Sequence, residues 1–172
     1  MAHVDEVHIP ETPVFTFGIL DTTGHTVTLV GKHIWTGQFV YNPKNIGVKQ
    51  WGVIAHQGDF TSSSACIVFN GHDKNGKGYD WRVAWSNPKG KDSVKKVYTR
   101  ICDTIARTLN RNELNAIQNQ LHSCGSIDTA TWNGYGTKVE IDDHGIIKGV
   151  LGLGPSYSRM RISSTTDDQQ VM

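Results

Sequence analysis

With 172 residues, 37% of them hydrophobic and 19% charged, the chain is the size of one domain and can bury a core without metal or disulfide staples. A formal charge of +1, with acids and bases interspersed, excludes a whole-molecule field drawing the chain onto nucleic acid or an anionic membrane, so any partner must be recognised locally. Eighteen glycines and few charges favour many short strands over long helices.

In chain order, residues 1–13 carry two prolines, several charges and little periodicity, and read as a flexible segment. MAHVDEVHIPETPVF has no basic start followed by an apolar run, so the expectation is a cytoplasmic or nuclear protein without a signal peptide. Phe15 to Leu20 and Thr26 to His33 read as strands, joined by a turn at Asp21 to Gly24 into a predicted hairpin. Phe39 to Tyr41 follows, then a loop with Pro43, then Gln50 to Gln57, where Trp51, Val53 and Ala55 alternate with polar or glycine neighbours. The apolar run Ala65 to Phe69 predicts a central strand, and the turn around Asn75-Gly76 returns it into Tyr79 to Trp85. A loop from Ser86 and a strand from Val94 to Cys102 come next.

One helix interrupts the strands. Asn110 with Glu113 three residues on resembles a capping box, Leu114, Ile117 and Leu121 recur at helical spacing, and Cys124-Gly125 ends the segment; an amphipathic turn from Ile105 to Leu109 precedes it. Strands resume at Ile127 to Trp132, Thr137 to Ile141 and, after the turn Asp142 to Gly145, Ile146 to Leu153. Residues 163–172 read as a flexible tail. The predicted architecture is mainly β: an antiparallel β-sandwich of about ten strands with one inserted α-helix, one domain over residues 14–162.

Motifs for chemistry are scarce. The eight histidines form no H-x-H or HExxH pairing, and the run Asp73 to Asp80 places Lys77 where calcium wants an oxygen. The expectation is therefore no metal and no cofactor. Cys66 lies inside an apolar run, where a thiol is core, and the odd number of widely spaced cysteines (Cys66, Cys102, Cys124) argues for reduced thiols. No acid–base pair can be named, so the chain is expected not to be an enzyme, and an antiviral activity on nucleic acid is the weakest reading. Trp81 and Trp85 share one strand face with Tyr79 and Val83, a pattern that favours a sandwich core over a binding face without deciding between them. Trp35, Trp51 and Trp132 lie next to turns, where tryptophan stacks on sugars, sits at lipid head-group level, or plugs the end of a sandwich.

Three stretches carry a family resemblance: TGHTVTLVGKHIWTGQFVYNPKNIGVKQWGVIAHQG (23–58), KNGKGYDWRVAWSNP (74–88) and TWNGYGTKVEIDD (131–143). Together they resemble the plant jasmonate-induced proteins of the twenty-three-kilodalton class, which implies a stress- or defence-linked protein with no established enzymatic activity. Residues 1–13 are not expected to supply the helical segment that longer members carry ahead of the first strand. A more distant resemblance, carried by Ala84-Trp85-Ser86-Asn87-Pro88, is to the actinoporin-like β-sandwiches, which include fungal fruit-body lectins. It implies a phosphocholine or sugar pocket at Ser86 and Pro88, with Trp85 and Tyr98 beside them. The helix carries no tyrosine cluster and no amphipathic helix leads the chain, which argues against pore formation.

The leading expectation is thus a non-enzymatic plant defence or stress-response protein. It recognises a glycan or lipid head group through the S-x-P loop, with peripheral membrane contact at most, no membrane span and no nucleic-acid partner. The alternative is a protein-interaction module that self-associates through an exposed strand edge, as a homo-oligomer without a small ligand.

Overall fold

The computed structural model describes residues 15–22, 24–104 and 109–154; the two expected flexible segments, and the turn expected from Ile105 as far as residue 108, lie outside them. In chain order the elements are β1 (Phe15–Thr22), β2 (Val27–Thr36), β3 (Gln38–Tyr41), β4 (Asn45–Ile46), β5 (Trp51–Gln57), β6 (Ser62–His72), β7 (Gly78–Pro88), β8 (Lys96–Asp103), α1 (Arg111–Ser123), β9 (Ile127–Trp132), β10 (Tyr135–Ile141) and β11 (Ile146–Leu153). They build two sheets, six strands in the order β3-β5-β1-β11-β10-β9 and five in the order β4-β2-β6-β7-β8. This is the expected β-sandwich with one helix inserted after β8.

A three-residue loop, Lys74-Asn75-Gly76, closes the β6–β7 hairpin where the sequence predicts a turn: the Asp73 amide donates to Lys77 O and the Gly76 amide to Asp73 O, with Gly76 at φ 80°, a conformation that costs glycine no steric clash. Gly145, at φ 79°, does the same for the β10–β11 hairpin. The predicted β1–β2 hairpin does not form. The chain passes through Gly24, at φ 131°, from one sheet to the other, and β1 instead lies antiparallel to β5 and parallel to β11. That parallel pair is the exception in an otherwise antiparallel sandwich.

Between the sheets, Phe69, Tyr79, Trp81, Val83 and Trp85 meet Ile54, Tyr135, Val139, Ile147 and Leu151, all buried. The choice left open for Trp81 and Trp85 is settled: both face the core, 0% and 2% exposed. Their indole N–H groups find buried acceptors, Trp81 on Thr99 Oγ1 at 3.1 Å and Trp85 on Ser63 Oγ at 3.2 Å, so the polar handle of each ring costs little. Thr99 also meets Thr137 across the sandwich at 3.2 Å, and its amide donates to Asp128 Oδ2 at 2.8 Å, tying β8 to the other sheet.

The strand carrying S-x-P runs further than predicted. Ser86, Asn87 and Pro88 are the last residues of β7 and pair with Ser64, Ser63 and Ser62 of β6; the loop begins at Lys89. Pro88 is tolerated because β8 pairs with β7 only as far as Ser86↔Lys96, so its missing N–H costs no hydrogen bond on that side.

Candidate functional site

The outer face of the five-stranded sheet carries the even-numbered residues of β7, and α1 lies across it. The helix starts in a complete capping box: Asn110 Oδ1 accepts from the Glu113 amide at 2.9 Å, and Glu113 Oε2 accepts from the Asn110 amide at 3.1 Å. Ile117 and Leu121 then press onto Cys66, Val68, Ala84 and Tyr98. At its first turn Glu113 meets Arg82, with 3.3 Å between Oε1 and Nη2. At its last turn the Lys96 ammonium donates to the His122 carbonyl, a cation placed where the helix dipole is negative. The helix is therefore laid along β7 and β8, with its start over Arg82 and its end over Lys96.

Beside the C-terminal half of α1 lies a recess of about 200 Å³. Ser64, Ser86 and Lys96, neighbours across three strands, form its floor, and Gln118, His122 and Val94 its walls. Val94 also borders an open basin of about 920 Å³, where Pro88 and the lysines of the β7–β8 loop face Asp142, Asp143 and His144. The loop is pinned: Ser93 Oγ lies 2.9 Å from the Pro88 carbonyl and 2.6 Å from the Gly90 carbonyl, with its one proton shared between them, and the Lys89 amide donates to Thr61 O at 2.8 Å. Upstream, Asp59 organises the entry to β6. The Thr61 hydroxyl and the amides of Ser62 and Thr61 all donate to its carboxylate, which holds its pKa below the usual range.

The four residues nominated from the sequence do not converge. Ser86 lines the smaller recess and Pro88 the basin. Tyr98 is on the same face but under the helix, where burial raises its pKa; it opens on a separate recess of about 220 Å³ with Arg82 and Glu113. Trp85 is a correction. As an odd-numbered residue of β7 it points the other way, edge-on to Phe39 and His56 in the inter-sheet core, and cannot touch a ligand held by Ser86.

Ser64, Lys96, Gln118 and His122 were missed by sequence reasoning. Counting equally outward from a two-residue Asn75-Gly76 turn pairs Ser86 with Ala65; the three-residue loop centred on Asn75 shifts the register by one and pairs it with Ser64, so the loop length alone separated the sequence from this residue. The helix residues had no comparable signal. The tryptophans beside turns take three different roles: Trp35 packs half-buried at the edge of the helix-side cluster, and Trp51 is 58% exposed. Trp132 closes one end of the sandwich against Tyr79 and Tyr135, with its N–H on Asp103 Oδ1 at 2.7 Å. Cys66 is core, and burial pushes its thiol to about 12, far from a usable nucleophile. Among the described residues no three metal-ligating side chains come together.

A sequence profile of the family described as Nakanori-like protein matches residues 14–148. The "Jasmonate-induced protein homolog" of Atriplex canescens is 33% identical over 80 residues, 45% of this chain; the match spans 43% of that relative's own length. Among solved structures, the crystal structure of the lipid binding protein Nakanori superposes with a TM-score of 0.68, covering 82% of this chain and 71% of that one, at 16% identity, which is a likeness of fold. The resemblance to jasmonate-induced proteins is thus upheld, and the chain belongs to the Nakanori-like protein family.

Proposed function

We propose that this chain is a non-enzymatic lipid-binding protein of plant defence or stress responses that takes the phosphate of a lipid head group into the recess at Ser86. The observation that carries this reading is the chemistry gathered there: two hydroxyls, Ser64 and Ser86, lie beside the Lys96 ammonium under Gln118 and His122. In the adjoining loop Lys89, Lys91 and Lys95 outnumber Asp92. Hydroxyl, amide and ammonium donors around a small recess suit a phosphate. A lipid head group is favoured over a glycan because no tryptophan or tyrosine lines this recess to stack on a sugar face. The description of Nakanori as a lipid binding protein and the jasmonate-linked name of the Atriplex canescens relative support the same direction.

Co-sedimentation with vesicles tests the proposal. Wild-type protein is expected to pellet with phospholipid vesicles, Lys96→Gln to bind about tenfold more weakly through loss of one charge-assisted contact, and Ser86→Ala to lose a smaller factor. Equal binding by all three proteins, or by none, would sink the reading.

A second reading, self-association through a strand edge, is favoured by one patch. Edge strand β3 and its neighbour β5 expose Val40 (61%), Tyr41 (57%), Trp51 (58%) and Val53 (46%). Sedimentation velocity decides it: a concentration-dependent dimer that Trp51→Ser dissolves supports this reading, and a monomer at the highest concentrations removes it.

A further inference from the structure

Along the same sheet face, under the N-terminal half of α1, lies the separate recess of about 220 Å³ lined by Arg82, Tyr98, Arg100, Glu113 and Gln120. Arg82 and Arg100 sit directly opposite each other on β7 and β8. Like charges in that position repel unless an anion stands between them. One carboxylate lines the recess, and it is already engaged: Glu113 closes the helix capping box with Oε2 and meets Arg82 Nη2 with Oε1. Arg82 is 6% exposed, and its buried Nε–H has no acceptor among the described residues. Arg100 stands exposed at the rim with the Tyr98 hydroxyl beside it.

Among the residues that line the recess two guanidiniums stand against one committed carboxylate, while Asp80, the next outward residue of β7, is buried with its carboxylate accepting from Asn70 Nδ2; a buried guanidinium with an unmet donor demands an acceptor. We propose that this recess is an anion site for a phosphate monoester, held in the fork of Arg82 and Arg100 with the Tyr98 hydroxyl as a further donor. Arginine suits this task because its planar donor array matches two phosphate oxygens at once. Free phosphate and the terminal phosphate of an anionic lipid share this chemistry. The site has no lining residue in common with the Ser86 recess and does not rest on the head-group reading.

Inorganic phosphate, titrated at constant ionic strength against sodium chloride and followed through the arginine Nε–H signals in ¹H–¹⁵N spectra, tests the site. Saturable movement of the Arg82 Nε–H signal at millimolar phosphate is expected, weakened at least tenfold in Arg100→Gln, less in Arg100→Lys, and unchanged in Ser86→Ala. Movement equally produced by chloride, unaltered binding in Arg100→Gln, or shifts confined to the lysine loop would each overturn the proposal. No response to phosphate would do the same. Vesicles of phosphatidylcholine with and without phosphatidic acid then separate the two sources. Binding that needs phosphatidic acid and falls in Arg100→Gln assigns the site to lipid, and phosphate binding with no such preference assigns it to a soluble phosphate. Because Ser86→Ala and Lys96→Gln report on the other recess, either site can fail alone.

Discussion

The two faces of β7 differ in nearly every respect although they alternate residue by residue. Tyr79, Trp81, Val83 and Trp85 point between the sheets and are all buried, whereas Arg82, Ala84, Ser86 and Pro88 face α1 and the loops, with Ser86 and Pro88 partly exposed. On the first face every polar atom of the tryptophans is satisfied within the core. On the second face, charges and hydroxyls border recesses, and one guanidinium donor is left without an acceptor among the described residues. With the proposed recesses on its outer face, one strand would serve both stability and recognition because its side-chain period is two. A binding residue can sit next to a core residue without sharing its surroundings.

Substitutions can break this division, beginning with the largest effect. Trp81→Ala empties the middle of the inner face and is expected to cost about 3–5 kcal/mol in urea unfolding. A loss under about 1 kcal/mol would mean that this face is not the core.

The inner face also carries a pH liability. His56, 0% exposed, contacts Trp85 and shares a 2.8 Å hydrogen bond with Ser63 Oγ, and burial lowers its pKa from 6.5 to about 4. The unfolded chain therefore binds the proton more readily between those values. Stability from this group is complete above about pH 6.5 and is lost as pH falls toward about 4, at most about 3 kcal/mol. Unfolding free energies of wild type and His56→Gln between pH 7 and pH 4 check this, and the variant is expected to show the shallower slope.

Smaller effects sharpen the outer face. Asn110→Ala removes the cap that lays α1 over Arg82 and is expected to cost about 1 kcal/mol in thermal unfolding. Ser86→Ala is expected to change stability by less than about 0.5 kcal/mol while weakening vesicle binding. A large stability loss there would move Ser86 from recognition to structure.

Much of the fold was legible because its signals are local. Asn75-Gly76 and the turn at Gly145 fix hairpins within a few residues of themselves, and Asn110 with Glu113 marks a helix start regardless of what packs on it. The β1–β2 connection misled because a turn signal says that the chain bends, not which sheet it bends into. The site was less legible. Ser86 and Pro88 carry a motif, and Ser64 follows from hairpin register once the loop is known to hold three residues, but Gln118 and His122 reach the recess only because α1 docks in one particular direction. Trp85 was misplaced because the motif names neighbours in sequence, and neighbours along a strand face opposite ways.

By itself, the sequence determined the strand class, the hairpins at Asn75-Gly76 and Asp142 to Gly145, the capped helix and the family, all of which depend on short-range sterics or on contiguous motifs. Only the tertiary structure decided that β1 runs parallel to β11, that Trp85 belongs to the core, and that Arg82 and Arg100 meet beneath a helix whose one nearby carboxylate is already engaged. Those outcomes are set by which surfaces can be buried together across long sequence separations, and no local pattern encodes that choice.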